Sequence, residues 1–358
     1  MKTSLNQLRL GALSLILGIA LSAPATADGR NPSSLLIFPQ FRHGASAAGQ
    51  LPSVNTVITV TNTHPALTAF VHFVVVDATL TGGQGPCGHY DRKEQIPACG
   101  SLSFLTNNFI PPATSAREGF IYAYAVQNLS AAAQAVSFNF LTGDLLVVDG
   151  VNAPSAGIVT NYSVSPVGFA AVNNTVNALL GFTPPTSPQL NGVVYSKAPS
   201  RILIPRFMGQ DQGAGSVFTS ELVLLSLAGT TTTTSPANSL QTIIDFLVFN
   251  DNEEAFSAQH LMTRCWERTS LLSINGIFAE SFLRDFTTDN PNEIRKDAAG
   301  ATKEAGWMYL EGNVAFSTSE NISQPAIMAF LIEQTTSSAQ VGAELPFFVG
   351  ERNGRLAP

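Results

Sequence analysis

The sequence predicts an all-β fold, arranged as two tandem antiparallel β-sandwich domains of immunoglobulin-like size produced by an internal duplication. Three observations predict it. Short runs rich in Val, Ile, Thr and Phe alternate with Gly, Pro, Asn and Ser clusters along the chain. The second half repeats motifs of the first in the same order. Charged residues make up only 12% of the chain, against about 25% in an average soluble protein, so Thr, Ser, Asn and Gly carry the polarity.

In chain order, the first element is an export signal over residues 1–27. Lys2 and Arg9 form a basic start, Leu10 to Leu21 a short apolar run, and Ala25-Thr26-Ala27 a small-residue cleavage site. The apolar run is shorter than the ~20 residues a spanning helix needs, and no later stretch is long and apolar enough to span. The expected location is therefore the periplasm or the cell exterior. Cleavage removes Lys2, Arg9 and no acid, which moves the formal charge from −7 to −9. An acidic chain without a Lys/Arg cluster excludes nucleic acid as a partner.

The first sandwich domain is assigned to residues 28–150. Its expected strands are LLIFPQF (35–41), VNTVITVTNT (54–63), FVHFVVVDA (70–78), SLSFLT (101–106), GFIYAYAVQN (119–128) and AVSFNFLTGDLLVV (135–148). Residues 151–200, which include Pro184-Pro185-Thr186-Ser187-Pro188, read as a connector with short ordered pieces. The second domain is assigned to 201–358. Short helices are expected over 173–182 and 278–286.

The repeat sets Pro39 over Pro205 and Phe41 over Phe207, in LLIFPQF and RILIPRF. It sets Phe73 over Phe246, Gly119 over Gly306, Phe140-Leu141 over Phe330-Leu331, and Tyr90-Asp91-Arg92 over Trp266-Glu267-Arg268. An outer-membrane barrel is disfavoured, because many strands are apolar on both parities, as in Val74-Val75-Val76 and Leu222-Val223-Leu224-Leu225. A sandwich buries one face of each strand, so something must cover the second face of 70–78 and 220–227. A tight interface between the two halves is the expected cover.

The polar residues inside these strands read mainly as structure. His72 and Asp77 have opposite parity and point to opposite faces of a regular strand, so they cannot share one metal ion. Tyr90 with Arg92, and Trp266 with Arg268, form the candidate ligand-contact pairs, each an aromatic ring sharing a face with a guanidinium. Asn250 to Glu254 is the densest acidic patch, but it lacks the regular spacing and glycine of a calcium loop. No cofactor or metal site is expected. Of the three cysteines, Cys87 and Cys99 are expected to close a small loop, leaving Cys265 as a buried apolar residue. No Gly-x-Ser-x-Gly, His-Glu-x-x-His or phosphate-loop motif occurs. The function expected is a secreted, non-catalytic structural or binding protein with a protein or glycan partner at the envelope. Its rivals are a carbohydrate-binding or adhesive module and an exported hydrolase whose carboxylate pair assembles only in the fold.

Overall fold

The computed structural model describes residues 31–45, 54–79, 87–110, 115–149, 160–182, 188–210, 218–228, 240–250, 253–285, 304–317, 321–335, 341–344 and 347–348. The signal segment 1–27 lies outside them. The described residues are all-β, in four sheets whose strand pairs are antiparallel.

In the first half β1 (Leu35–His43), β2 (Val54–Asn62), β3 (Ala69–Asp77), β4 (Gly88–Ile96) and β5 (Ser101–Leu105) are followed by β6 (Arg117–Val126), β7 (Leu141–Asp149), β8 (Thr160–Val164) and β9 (Val167–Phe169). Sheet I runs β4-β3-β6-β1-β9 and sheet II runs β5-β2-β7-β8. The second half holds β10 (Arg201–Met208), β11 (Phe218–Ser226), β12 (Gln241–Asn250), β13 (Ala255–Met262) and β14 (Trp266–Ser270). It continues with β15 (Ala305–Phe316), β16 (Asn321–Ser323), β17 (Ile327–Thr335), β18 (Val341–Glu344) and β19 (Phe347–Phe348). Sheet III runs β14-β11-β17-β18, and sheet IV runs β13-β12-β15-β10-β19 with β16 added to β15. Leaving β16 aside, each half threads its two sheets in the same order.

The two halves share finer devices. Pro39 and Pro205 each sit where the ladder of their strand slips, between Phe38 and Phe41 and between Ile204 and Phe207. A proline cannot donate to the ladder, so a bulge is where a strand tolerates one. After the slip Phe41 faces Gly119 and Phe207 faces Gly306. A Cβ at Gly119 would lie 2.0 Å from the Val76 carbonyl oxygen, and one at Gly306 would lie 2.4 Å from that of Phe249. Only glycine lets the strands approach this closely there.

Parity decides which face each residue buries. Val71, Phe73 and Val75 turn to sheet II, where the Phe73 ring meets Phe104 and Phe109 edge-on at 5.2 and 5.5 Å. Leu222, Leu224, Ala329 and Leu331 of sheet III turn to sheet IV and share a core with Ile244, Phe246, Val248 and Met308. The opposite parity, Val223, Leu225, Met328, Phe330 and Ile332, belongs to one continuous core with sheet I. Sheet III therefore packs on sheet I, β11 and β17 against β1 and β14 against β6, and the second face of β11 is covered by the first half. The second face of β3 is buried too. Beside it Tyr124 meets Phe182 at 5.7 Å, and Phe182 meets Tyr195 at 6.1 Å, both from segments that follow β9.

Several expectations need correction. GHYDRKEQI is strand β4, not part of a small loop. Its nine residues span about 30 Å, which sets Cys87 and Cys99 at opposite ends, far beyond the reach of a disulfide. Cys87 instead bonds Cys265, with the Cα atoms 6.2 Å apart, and Cys99 is free and exposed. Segment 151–200 is more than a connector, since it supplies β8 to sheet II and β9 to sheet I. No helix forms over 173–182. Asn173 accepts from the Thr175 amide there, an Asx turn that competes with helix. The C-terminal helix does form, at Glu280–Asp285.

Candidate functional site

Strand β3 places two polar groups on opposite faces, as parity requires. His72, 2% exposed, bonds the Tyr124 hydroxyl through Nδ1 at 2.8 Å and the Asp91 carboxylate through Nε2 at 2.9 Å. The second oxygen of Asp91 lies 3.3 Å from His89 Nε2. Burial alone would raise the Asp91 pKa. The His72 hydrogen bond, with the nearby His89 and Lys93 charges, outweighs it and holds the carboxyl below its usual range. Burial pushes the Tyr124 hydroxyl far up, so it stays neutral. This chain of four side chains runs from the buried Tyr124 to the partly exposed Asp91 and His89.

On the other face Asp77, fully buried, accepts from Arg117 Nη1 at 2.9 Å and from the Thr79 hydroxyl at 2.6 Å. Arg117 Nη1 also donates to the Tyr90 hydroxyl at 2.5 Å, and its guanidinium lies 5.8 Å from the centre of that ring. His43 sits opposite Arg117 in the β1–β6 register. Burial first, and then the Arg117 charge, lower the His43 pKa.

The four predicted contact residues do not assemble into twin sites. Tyr90 stacks with Arg117, while Arg92 lies 4.5 Å from the centre of the Phe109 ring. Trp266 is 4% exposed and donates its indole N–H to the Pro39 carbonyl at 2.9 Å. Arg268 is held by Glu221 at 2.9 Å. The match of Tyr90 with Trp266 also fails by topology. Tyr90 lies on β4 of sheet I, whereas Trp266 pairs Leu225 as Ser101 pairs Thr61. Trp266 is thus a seam residue, and its ring cannot serve as a ligand platform. In the acidic patch Asp251 and Asn252 lie outside the described residues. Asn250 Nδ2 donates to Glu254 at 2.8 Å, and the Glu254 amide returns to Asn250 at 2.9 Å, which closes the turn.

A cleft of about 240 Å³ beside β3 is lined by Phe70, Val126, Val136, Phe138, Asn177 and neighbours. It carries no carboxylate or histidine.

Among the described residues, an exposed apolar patch lies on the outer face of sheet IV. Phe249 and Trp307, paired across β12 and β15, stack in parallel with centroids 4.0 Å apart. Tyr309 meets Trp307 edge-on at 5.4 Å. Leu247, opposite Tyr309, is 43% exposed, and Leu261 is 45% exposed. A polar row borders them, with Arg201 bonded to Glu311 at 2.6 Å and Asp245 accepting from Gln259 at 2.8 Å. The signal for this face was present in the strand parity of IIDFLVFN and GWMYLEG.

No family model matches the chain. No curated protein matches it either. Among solved structures, Thermotoga maritima 1070 is similar at 12% identity over 38% of this chain and 96% of its own, with a TM-score of 0.26. A Broad Bean Stain Virus structure is similar at 10% identity over 94% of this chain and 95% of its own, TM-score 0.18. Empty particles of cowpea mosaic virus are similar at 9% identity, over 94% and 96%, TM-score 0.19. At these TM-scores the likenesses carry no argument about this chain.

Proposed function

We propose that the chain is an exported, non-catalytic β-protein with a structural or binding role at the cell envelope or surface, built by duplication of one two-sheet unit. The duplication is supported by the shared strand order and by the repeated proline slip facing a glycine. The export reading rests on the Ala25-Thr26-Ala27 site and accords with the Cys87–Cys265 disulfide, since such bonds persist in oxidising compartments. The acidic charge argues against nucleic acid.

The observation that carries the role is the open aromatic face of sheet IV. Leu247, Phe249, Trp307 and Tyr309 form a contiguous apolar patch, and such patches on a folded surface mark interaction sites. The buried His72 and Asp77 groups are satisfied internally and leave no reactive atom for a substrate. Cell fractionation with protease shaving, and a photo-crosslinker at position 247 in intact cells, tests the reading. The expected result is a periplasmic or surface protein crosslinked through Leu247. A cytoplasmic location, or no crosslink from that position, overturns it. A carbohydrate platform is the second reading, favoured by the Trp307 and Tyr309 rings on that face.

A further inference from the structure

We infer that the outer face of sheet IV is a self-association surface, occupied by the same face of a second copy of this chain. The inference rests on the reading of that face as the working surface and names its partner. The first half provides the comparison. Asp77 pairs Gly119 as Asn250 pairs Gly306, which aligns the two sheets residue by residue. Ile37, Val74, Val76, Phe120 and Tyr122 then correspond to Leu203, Leu247, Phe249, Trp307 and Tyr309.

All five positions are apolar or aromatic in both halves. In sheet I they belong to the core that includes the outer face of sheet III, or pack against it. In sheet IV the corresponding five include Leu247 at 43% exposure, with Phe249, Trp307, Tyr309 and Leu203 half-buried. Among the described residues, the molecule thus carries two versions of one docking face and covers only the first.

The arrangement of the second copy follows by elimination. A head-to-tail copy would have to offer the counterpart of the sheet III face. That counterpart is the outer face of sheet II. Val223, Leu225, Trp266 and Phe330 correspond there to Thr59, Thr61, Ser101 and Asp144. This polar surface cannot repay the desolvation of an aromatic patch, and sheet III itself is already buried. Open-ended stacking of copies is therefore blocked. A two-fold contact remains, in which the patch meets itself. The bordering row suits that symmetry, because it holds a cation, Arg201, with the anions Glu311 and Asp245. A two-fold operation can set each Arg201 against an acid of the other copy.

Sedimentation equilibrium of residues 28–358 at about 100 µM tests the proposal, a concentration well above the dissociation constant expected of a standard-size interface. The expected mass is twice that of the chain. Leu247→Glu should give the monomer mass at the same concentration with an unchanged thermal transition, and Ser103→Glu, on sheet II, should leave the dimer intact. In a Cys99→Ser background, Leu247→Cys should form an oxidised dimer. A monomeric parent chain, or a dimer indifferent to Leu247→Glu, overturns the proposal. If the parent is monomeric but an oligosaccharide alters its Trp307 fluorescence, or position 247 crosslinks another protein in cells, the second copy is wrong and the working surface stands. If neither occurs, both readings fall.

Discussion

The indole of Trp266 donates to the carbonyl of Pro39 at 2.9 Å, across the seam between the two halves. Both residues are framework. Pro39 sits at the slip in β1, where the ladder leaves a carbonyl to be satisfied, and Trp266 opens β14. Trp266→Phe removes the donor and leaves that buried carbonyl unpaired, at a cost of about 1–3 kcal/mol. Trp266→Ala adds lost packing and costs about 3–5 kcal/mol. Urea unfolding followed by fluorescence and by circular dichroism measures both. The shared core also predicts a single transition for the parent chain; two separated transitions would contradict it.

The Cys87–Cys265 bond closes a loop across 178 positions. In the chain-entropy model a loop this long contributes about 5 kcal/mol. Cys87→Ser or Cys265→Ser should lower the midpoint sharply, and a reducing agent should reproduce that loss in the parent. Cys99→Ser should change nothing in the monomer, since its thiol is free and exposed.

Two groups predict the pH dependence. Burial and Arg117 lower the His43 pKa, so below about pH 6.5 the unfolded chain binds a proton that the folded one refuses. Stability should fall as the pH drops through that region, and His43→Phe should flatten the fall. Asp91 is shifted down, so its contribution is present above the ordinary carboxyl pKa of about 3.9 and is lost below it. Asp91→Asn should remove the most acidic part of the profile. Thermal midpoints between pH 3 and 8 separate the two.

Gly119→Ala and Gly306→Ala should destabilise comparably. Each Cβ would meet a main-chain oxygen, of Val76 or of Phe249, that no rotamer change can move. Costs above about 3 kcal/mol are expected of such overpacking against backbone. A tolerated substitution at either site would show that the strands can separate there without loss.

Much of this was legible in the strand pattern. Period-two alternation placed His72 and Asp77 on opposite faces, and the Pro39/Pro205, Phe41/Phe207 and Gly119/Gly306 matches fall on equivalent ladder positions. Apolar residues on both parities of β11 foretold a cover on both sides. What stayed hidden has physical causes. Strand β4 carries Asp91, Arg92, Lys93 and Glu94, the charges that keep an edge strand from pairing with strangers, and those charges made it resemble a loop. A strand of that length, unlike a loop, holds Cys87 and Cys99 apart and leaves Cys87 to Cys265. Tyr90 and Trp266 were matched by side-chain type, although they belong to different sheets. Phe140-Leu141 was matched to Phe330-Leu331, but the ladder sets Leu141 beside Asn62 as it sets Ile327 beside Ser226.

The cover on sheet I has a consequence for how the chain is made. Synthesis delivers β1 to β9 long before β17, yet Phe330 and Ile332 of β17 help close the face that Ile37 and Val74 present. Until those strands arrive, part of that apolar face of the first half stays uncovered, a state prone to aggregation. Such a chain needs a holdase, or delayed collapse, until nearly its last strands have arrived.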